Sequence, residues 1–339
     1  MDNKRKNLIY SVVLLSLLGI VWMSRSNGSE EAKQVTVKGE TMGTYYDIRY
    51  LDNDQRNFKK SIDSLLQVFN QSVNHYLPDS EISRFNKQDS LEFNLPYFPQ
   101  MLKQSRQISE ITNGAFDPTV GPLVNAWGFG PEEPIYPEAQ TVDSLLQLVG
   151  FSHISYNENR AYKDNPAVSV NFSAIAKGYG VDVVANFLEN QEINNLKVEI
   201  GGEVVCRGVN NDGKPWRIGV SKPDASGEYV AVFPLSNRAM ATSGNYLNYY
   251  VKDGKRYSHT INPKTGYPVE HTLLSATVFA KNCAEADAYA TAFMVMGLED
   301  ARKLLESLNG IEAYLLYDDN GEMKAFRSPG VPNMNEENV

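Results

Sequence analysis

The sequence has few cysteines and histidines and no excess of positive charge. Only Cys206 and Cys283 occur among 339 residues, with no CxxC pair, and the histidines form no run. A thiolate zinc site or an iron–sulfur cluster therefore has no ligand set, whereas a single disulfide remains open. The net charge of -9 argues against nucleic-acid binding, because such proteins need a basic surface to displace the counterions of phosphate.

A long apolar run occurs only near the N-terminus. Basic residues 4–6 precede residues 8–23, which contain no charged side chain. At about 1.5 Å per residue this run gives roughly 24 Å of helix, which is short for a membrane span but longer than most cleaved signal cores. We expect residues 1–25 to be a retained signal or anchor helix and residues 26–33 a polar linker. The following chain would then face the periplasm, tethered to the bacterial inner membrane and, without a nearby cysteine, not as a lipoprotein.

The remaining chain is predicted to be one α+β domain over residues 34–328, with a flexible tail over 329–339. Helical spacing of apolar residues predicts helices over 58–76 and 98–112. Further helices are predicted over 141–149, 284–297 and 300–308, and over 173–188, where the hydroxyl of Ser173 could cap the first turn. Short apolar or alternating runs predict strands over 34–50, 169–172, 197–200, 203–207, 216–221, 230–235, 249–252, 274–280 and 313–317.

Asp287 and Thr291 lie four residues apart in a predicted helix, so their oxygen atoms share one face. A carboxylate and a hydroxyl one turn apart suit Mg²⁺, which usually binds one or two carboxylates and fills its shell with water and phosphate. The alternative is structural: Asp287 would lie in the first turn, where the helix dipole favours an acid, and Thr291 would pack against the next turn. The spacing alone leaves both interpretations open.

A second candidate is the strand-to-helix turn over residues 171–180. Lys177 would lie in the first helical turn, where the dipole disfavours a cation unless an anion binds there. Gly178 and Gly180 each weaken a helix by about 1 kcal/mol, which favours close approach by a ligand or another backbone. A bound phosphate would explain both features, and packing of the helix against a sheet is the alternative. A dinucleotide fingerprint is not formed, because its third glycine is missing.

His259 lies in a turn rich in proline and glycine, residues 257–268. It could carry a proton because imidazole titrates near neutral pH, and a hydrogen-bonded structural role is the alternative. Two further segments, Gly201-Gly202 and residues 242–245, are predicted to be tight turns whose backbone amides could face an anion.

Six short motifs follow one another along the chain: Glu40-Thr41-Met42-Gly43-Thr44, Ala115-Phe116-Asp117, residues 171–180, Gly201-Gly202-Glu203, residues 258–263 and residues 285–291. Read together they resemble the ApbE family, the FAD:protein FMN transferases, from about residue 36 to 327. The resemblance implies a single compact α+β domain of the T-fold type. Its β-sheet core would be surrounded by helices, with FAD in the cleft between them.

The resemblance also implies a reaction. FAD is split at its diphosphate in a Mg²⁺-dependent step, AMP leaves, and FMN is joined through its phosphate to a Ser or Thr hydroxyl of an acceptor protein. The acceptor is typically a subunit of a sodium- or proton-linked respiratory or electron-transfer complex, with a Ser/Thr-Gly-Ala-Thr segment. Mg²⁺ on the diphosphate oxygens would neutralise the charge that develops on the AMP leaving group.

The site residues implied by the resemblance are carried over position by position. The metal ligands are Ala174, through its carbonyl oxygen, Asp287 and Thr291. His259 and Asp287 are expected to be catalytic, with His259 as the base for the acceptor hydroxyl. The FAD contacts are Met42, Tyr76, Ala115, Phe116, Asp117, Asn171, Lys177 and Ile261.

Three positions depart from the usual pattern of the family: Asn171 and Asn262 replace Asp, and Ala290 replaces a residue that is acidic in some members. Asp287 would then be the main anionic metal ligand. Two other functions remain open, an FAD pyrophosphatase that releases FMN and AMP, and a non-catalytic flavin-binding protein that leaves FAD intact. The presence of both Asp287 and Thr291 argues against the non-catalytic flavin-binding protein.

Overall fold

The computed structural model describes Ser16 and residues 33–130, 135–223, 226–245, 249–252 and 255–334. The predicted anchor and linker, residues 1–33, thus lie outside the described residues except for Ser16 and Lys33, and so do residues 335–339 of the predicted tail. Within the described ranges, no helix combines the length and apolar character needed to cross a bilayer. The anchor and the domain boundaries stay predictions.

An antiparallel sheet of eight strands organises the described part of the chain, in the order β1-β2-β6-β7-β10-β13-β14-β15. Its strands are β1 Lys33–Thr41, β2 Thr44–Asp52, β6 Leu196–Ile200, β7 Glu203–Arg207, β10 Arg238–Gly244, β13 Leu273–Ala280, β14 Glu312–Asp319 and β15 Glu322–Arg327. Smaller sheets contain β3 Ser90–Glu92, β4 Ile154–Tyr156 and β5 Arg160–Lys163, then β8 Trp216–Ser221 with β9 Tyr229–Leu235, and β11 Tyr249–Lys252 with β12 Lys255–Ser258.

The helices are α1 Lys59–Val73, α2 Glu81–Lys87, α3 Tyr97–Ile111, α4 Gly121–Ala126, α5 Ala139–Leu146, α6 Ala176–Asn190, α7 Cys283–Met296 and α8 Leu298–Leu305. Short 3₁₀ turns occupy Pro118–Val120 and Phe151–His153. Helix α7 packs directly on β10 and β13 and also contacts α6. Its small side chains, mostly alanines, allow this close packing, because the helix is buried on nearly all sides.

The large sheet has a separate apolar core on each face. Ala241 and Val278 belong to the core that contains the helices, whereas Met240 and Phe279 pack against Phe233 of β9 on the opposite face. Successive residues of a strand point to opposite faces, so these long strands contribute to both cores. The sheet is therefore the middle layer of an α+β domain, as the sequence predicted.

Most predicted helices and strands are confirmed with shifts of one to three residues at their ends. The predicted strand over 34–50 is wrong, because it is a hairpin of β1 and β2. Met42 and Gly43 turn the chain with φ of 49° and 71°, a left-handed conformation that an extended strand does not contain. The open question of a disulfide is also settled, since Cys206 and Cys283 are buried free thiols.

Three local predictions near the site are wrong. Residues 169–172 form no strand, because the Val170 backbone bonds the side chain of Asn86 in place of a neighbouring strand. Ser173 does not cap α6, whose first residue is Ala176 and whose N-cap, Ile175, makes no side-chain capping bond. The predicted turn over 242–245 is largely strand, because residues 242–244 end β10.

Gly178 allows α6 and α7 to cross closely, and we predict that Gly178→Ala destabilises the fold. A Cβ atom there would stand 2.8 Å from Asp287 Cβ and collide with the carbonyl oxygen of Cys283. We expect the free energy of unfolding to fall by about 2 kcal/mol, despite the better helix propensity of alanine. Chemical denaturation measures this change.

Gly180→Ala is the matched control, since it lies one helical half-turn away in α6. Its Cβ would meet only side chains, Met42 Cε at 2.9 Å and Phe69 Cε1 at 3.2 Å, and the flexible end of Met42 can move aside. Equal stability losses in the two variants would contradict the proposed close crossing at Gly178.

Candidate active site

The N-terminal turns of α6 and α7 meet, and each receives a carboxylate from the other helix. Asp182 of α6 accepts hydrogen bonds from the amides of Cys283 and Ala284, both at 2.8 Å. Asp287 of α7 accepts one from the Gly178 amide at 2.9 Å. First-turn amides have no partner within their own helix, so these bonds satisfy them. The two helix N-termini are thereby held at one place, with these amides bonded to carboxylates of the protein.

A buried charge cluster adjoins this point. The Lys177 ammonium lies 2.6 Å from Glu203 Oε1, and the Glu203 side chain is 3% exposed against 33% for Lys177. Burial raises the pKa of Glu203 to about 7, and the nearby charge of Asp287 acts in the same direction. Burial alone would lower the pKa of Lys177, but the charges of Glu203 and Asp287 outweigh it and raise that pKa. Lys177 is therefore a cation that is paired with Glu203 and also influenced by the charge of Asp287.

The oxygen donors at Asp287 and Thr291 fit a hard cation. Within the described ranges, no cluster of three or more His, Cys, Asp or Glu residues could hold a metal. The Gly178 amide bonds Asp287 instead of the carbonyl of Ala174 four residues earlier, the bond that a regular helix would make. That carbonyl, one carboxylate and the Thr291 hydroxyl are donors that Mg²⁺ prefers. The donor set therefore fits Mg²⁺ better than zinc.

Ser243 of β10 extends this donor set. Its hydroxyl lies 3.2 Å from the Thr291 hydroxyl, in hydrogen-bond contact. Burial raises the pKa of Asp287, whereas the charge of Lys177 and the Gly178 amide oppose that rise. A nearby cation would likewise favour the ionised carboxylate.

A pocket of about 350 Å³ opens beside Lys177. Its wall is mostly apolar, and Tyr76, which is 62% exposed, packs its ring on His75 at a centroid distance of 4.3 Å. Three of the predicted FAD contacts, Met42, Tyr76 and Lys177, come together here. The full lining consists of Met42, Gly43, Val73, Asn74, His75, Tyr76, Ser173, Ala176 and Lys177.

Ala115 does not join these contacts, since it lines a second pocket of about 320 Å³ together with Asn262 and the C-terminal end of α7. Phe116 and Ile261 are 3% and 4% exposed and pack into apolar cores, Ile261 with Leu123 and Trp127. A ligand could reach Phe116 or Ile261 mainly through their backbones.

The polar side chains of Asp117 and Asn171 serve the local loops. Asp117 Oδ1 accepts bonds from the amide and hydroxyl of Thr119, at 2.8 and 2.5 Å, and burial raises the pKa of Asp117. Asn171 joins the same loop through its amide, which donates to the Pro118 carbonyl at 2.7 Å, and its Oδ1 accepts from the Ser173 amide at 2.8 Å.

The other two departures from the family pattern also have local explanations. Asn262 Oδ1 accepts a bond from the Lys264 amide at 2.9 Å, which stabilises the turn. Ala290 is fully buried in the apolar core, where an acidic side chain would lack a polar neighbourhood.

His259 lies on a well-anchored loop after β12. The hydroxyls of its neighbours Ser258 and Thr260 both donate to Asn245 Oδ1, at 2.7 and 2.9 Å. Its ring packs edge-on against Phe129 at a centroid distance of 6.3 Å. The loop is thus held in place on both sides of the imidazole.

Sequence reasoning missed Glu203 and Ser243 as members of the site. Glu203 was visible only as the acidic end of the Gly201-Gly202-Glu203 motif, and its contact with Lys177 joins distant parts of the chain. Ser243 lies in a segment for which the sequence predicts a turn, whereas in the structure it belongs to β10 and contacts Thr291. An acidic residue at the start of an otherwise apolar strand is the signal that could have identified Glu203.

Comparisons with known proteins identify the family of this chain. The model of the ApbE family matches residues 42–315. An FAD:protein FMN transferase of Vibrio cholerae is 40% identical over 88% of this chain and 91% of its own length, and one of Haemophilus influenzae is 38% identical over 93% and 95%. The solved structure of flavin transferase ApbE from Vibrio cholerae, 39% identical, superposes with a TM-score of 0.80 over 88% of this chain and 98% of its own.

The flavinyl transferase ApbE of Pseudomonas stutzeri, in its apo form, gives the same TM-score at 32% identity, over 88% of this chain and 95% of its own. These matches extend across both the sheet and the helices that form the site. They confirm the resemblance inferred from the six motifs, and the chain belongs to the ApbE family.

Proposed function

We propose that this protein transfers FMN from FAD to a Ser or Thr hydroxyl of an acceptor protein, with Mg²⁺, and releases AMP. The observation that carries this proposal is the junction of α6 and α7, where Lys177 lines an apolar pocket and the amide of the next residue, Gly178, bonds Asp287 of the Asp287–Thr291 pair. The names of relatives that are 36–40% identical, FAD:protein FMN transferase, support the same reaction.

The apolar pocket suits the ring system of the flavin. Met42 supplies apolar surface, and the exposed ring of Tyr76 offers a face for stacking. Lys177 stands at the wall of the same pocket, where it would bind a phosphate oxygen. Ring and phosphate would thus be oriented by different parts of one site.

Asp287, Thr291 and the Ala174 carbonyl would hold the Mg²⁺ ion. When bound, the ion would polarise the diphosphate and offset the charge on the departing AMP. The chain itself contributes few acid–base groups, as expected for phosphoryl transfers that depend on positioning and electrostatics. Asp287 would be the principal anionic ligand.

His259 would accept the proton of the acceptor hydroxyl. The hydroxyl oxygen forms a bond to the phosphorus of the FMN half, and the bond from that phosphorus to the oxygen bridging to AMP breaks. AMP departs with the bridging oxygen, and FMN remains attached to the acceptor as a phosphoester. The anchoring of Ser258 and Thr260 would keep the imidazole in a defined position during this step.

The acceptor and the cellular location belong to this proposal as well. We infer a membrane subunit of a respiratory or electron-transfer complex as the acceptor. Residues 1–25 would tether the enzyme to the inner membrane with its active site in the periplasm, because basic residues 4–6 favour the cytoplasmic side.

Incubation with FAD and Mg²⁺ tests the proposal, with and without a protein that carries a Ser/Thr-Gly-Ala-Thr segment. We expect a fluorescent acceptor band on a denaturing gel and AMP in equal amount. Release of free FMN at the same rate without acceptor would identify a pyrophosphatase. Recovery of intact FAD after long incubation would indicate a flavin-binding protein.

We predict that Asp287→Asn lowers FMN transfer by at least about a hundred-fold, because loss of the anionic ligand weakens metal binding. Asparagine still offers an oxygen to the Gly178 amide, so the fold should persist, whereas alanine would leave that amide without a partner. Transfer rate and thermal unfolding are measured together. Asp319→Asn, at an exposed ion pair, is the control, and full activity of Asp287→Asn would exclude the metal assignment.

We predict that His259→Asn separates transfer from flavin binding. The rate of transfer should fall by about a hundred-fold, since general-base catalysis contributes at least that much. Because His259 would act on the acceptor and not on FAD, the dissociation constant of FAD should stay within about two-fold. Stopped-time transfer assays and flavin fluorescence quenching measure the two quantities, and a parallel loss of both would contradict this role.

A further inference from the structure

Glu203 contacts Lys177 but takes no part in the chemistry proposed above. It begins β7, it is almost fully buried, and its Oε1 lies 2.6 Å from the Lys177 ammonium. Lys177 is a third exposed and lines the pocket. The ion pair therefore has one end in the protein interior and the other at the ligand site.

A turn of two glycines lies directly beside this ion pair. Gly201 and Gly202 form the turn between β6 and β7, with φ of 60° and 103°. A Cβ atom at Gly201 would stand 2.8 Å from Thr44 and 3.4 Å from Lys177 Cδ. The lysine side chain thus lies next to Gly201, where Thr44 leaves no room for a side chain, and the same turn leads directly into Glu203.

The second carboxylate oxygen of Glu203 is buried and has no hydrogen-bond partner in the described part of the chain. An unpaired buried acceptor costs about 1–3 kcal/mol, and native proteins contain few of them. Packing alone does not account for this cost, since an apolar residue would fill the space without it. The presence of a buried carboxyl group in contact with the Lys177 ammonium therefore points to a role that involves Lys177.

We propose that Glu203 is a positioning residue, which fixes the Lys177 ammonium at the pocket wall and thereby strengthens binding of the phosphate groups of a flavin nucleotide. The inference rests on the proposed function, because it takes phosphate as the ligand of Lys177. An anchored ammonium loses little side-chain freedom when phosphate binds, whereas an unanchored lysine must first be ordered. The effect is specific for ligands that carry phosphate.

Two ligands with the same ring test this role: FAD, which has a diphosphate, and riboflavin, which has none. Their dissociation constants are measured by fluorescence quenching in the presence of Mg²⁺, for Glu203→Gln and Glu203→Ala. We expect the FAD constant to rise about ten-fold in Glu203→Gln and further in Glu203→Ala. The riboflavin constant should stay within about two-fold in both.

Glu199→Gln is the matched control. Glu199 of β6 forms an ion pair of the same length, 2.6 Å, with Lys197, and it lines neither pocket. Its loss should leave both dissociation constants unchanged. Thermal unfolding shows whether each variant is folded. If Glu203→Ala does not fold, Glu203→Gln, which keeps the shape of the side chain, is sufficient for the test.

The proposal also requires that the effect of the Glu203 variants on FAD affinity depends on Lys177. In a Lys177→Met background, Glu203→Gln should cause no further loss of FAD affinity, since there is no ammonium left to position. An unchanged FAD constant in the single Glu203 variants would overturn the proposal. So would equal losses for FAD and riboflavin, or losses from Glu203 and Lys177 that simply add.

The inference and the proposed function can fail separately. If wild-type protein binds FAD but transfers no FMN, the proposed reaction is wrong, while the role of Glu203 is still decided by FAD affinity. If wild-type protein transfers FMN and both Glu203 variants bind FAD with unchanged affinity, only the positioning role is wrong.

Discussion

Helices α6 and α7 begin at the same point of the molecule, and a carboxylate of each helix accepts hydrogen bonds from amides in the first turn of the other. Asp182 bonds the first amides of α7, and Asp287 bonds the Gly178 amide of α6. This exchange satisfies backbone donors that neither helix could satisfy alone. It also requires close contact of the two helices, which the absence of a side chain at Gly178 permits.

The charge cluster depends on that exchange. Because α6 is held at its first turn, Lys177 is directed to Glu203 on one side and to the pocket on the other. Because α7 is held through Asp287, Thr291 one turn later meets Ser243 of β10. The large sheet supplies the fixed frame for both contacts, since β7 carries Glu203 and β10 carries Ser243. The site is thus assembled from the two helix ends and the adjacent strands.

Much of the fold and part of the site followed from local patterns. Helical spacing predicted α1 and α3 closely, because one buried face imposes a period that is visible in the sequence. The pairing of Asp287 with Thr291 was visible because residues four apart share one face of a helix. The hairpin at Met42 and Gly43 was missed, since a left-handed pair of residues inside an alternating run leaves little trace in composition.

By itself, the sequence determined the class of fold, the family and the residues able to supply oxygen donors, because these depend on periodicity and on short ordered motifs. Only the tertiary structure decided which partners these residues have. Lys177 and Glu203, or Gly178 and Asp287, are far apart along the chain, and their contacts arise from helix crossing and strand order. It also decided that Asp117 and Asn171 stabilise loops, since their side-chain oxygens are already bonded to nearby amides and hydroxyls.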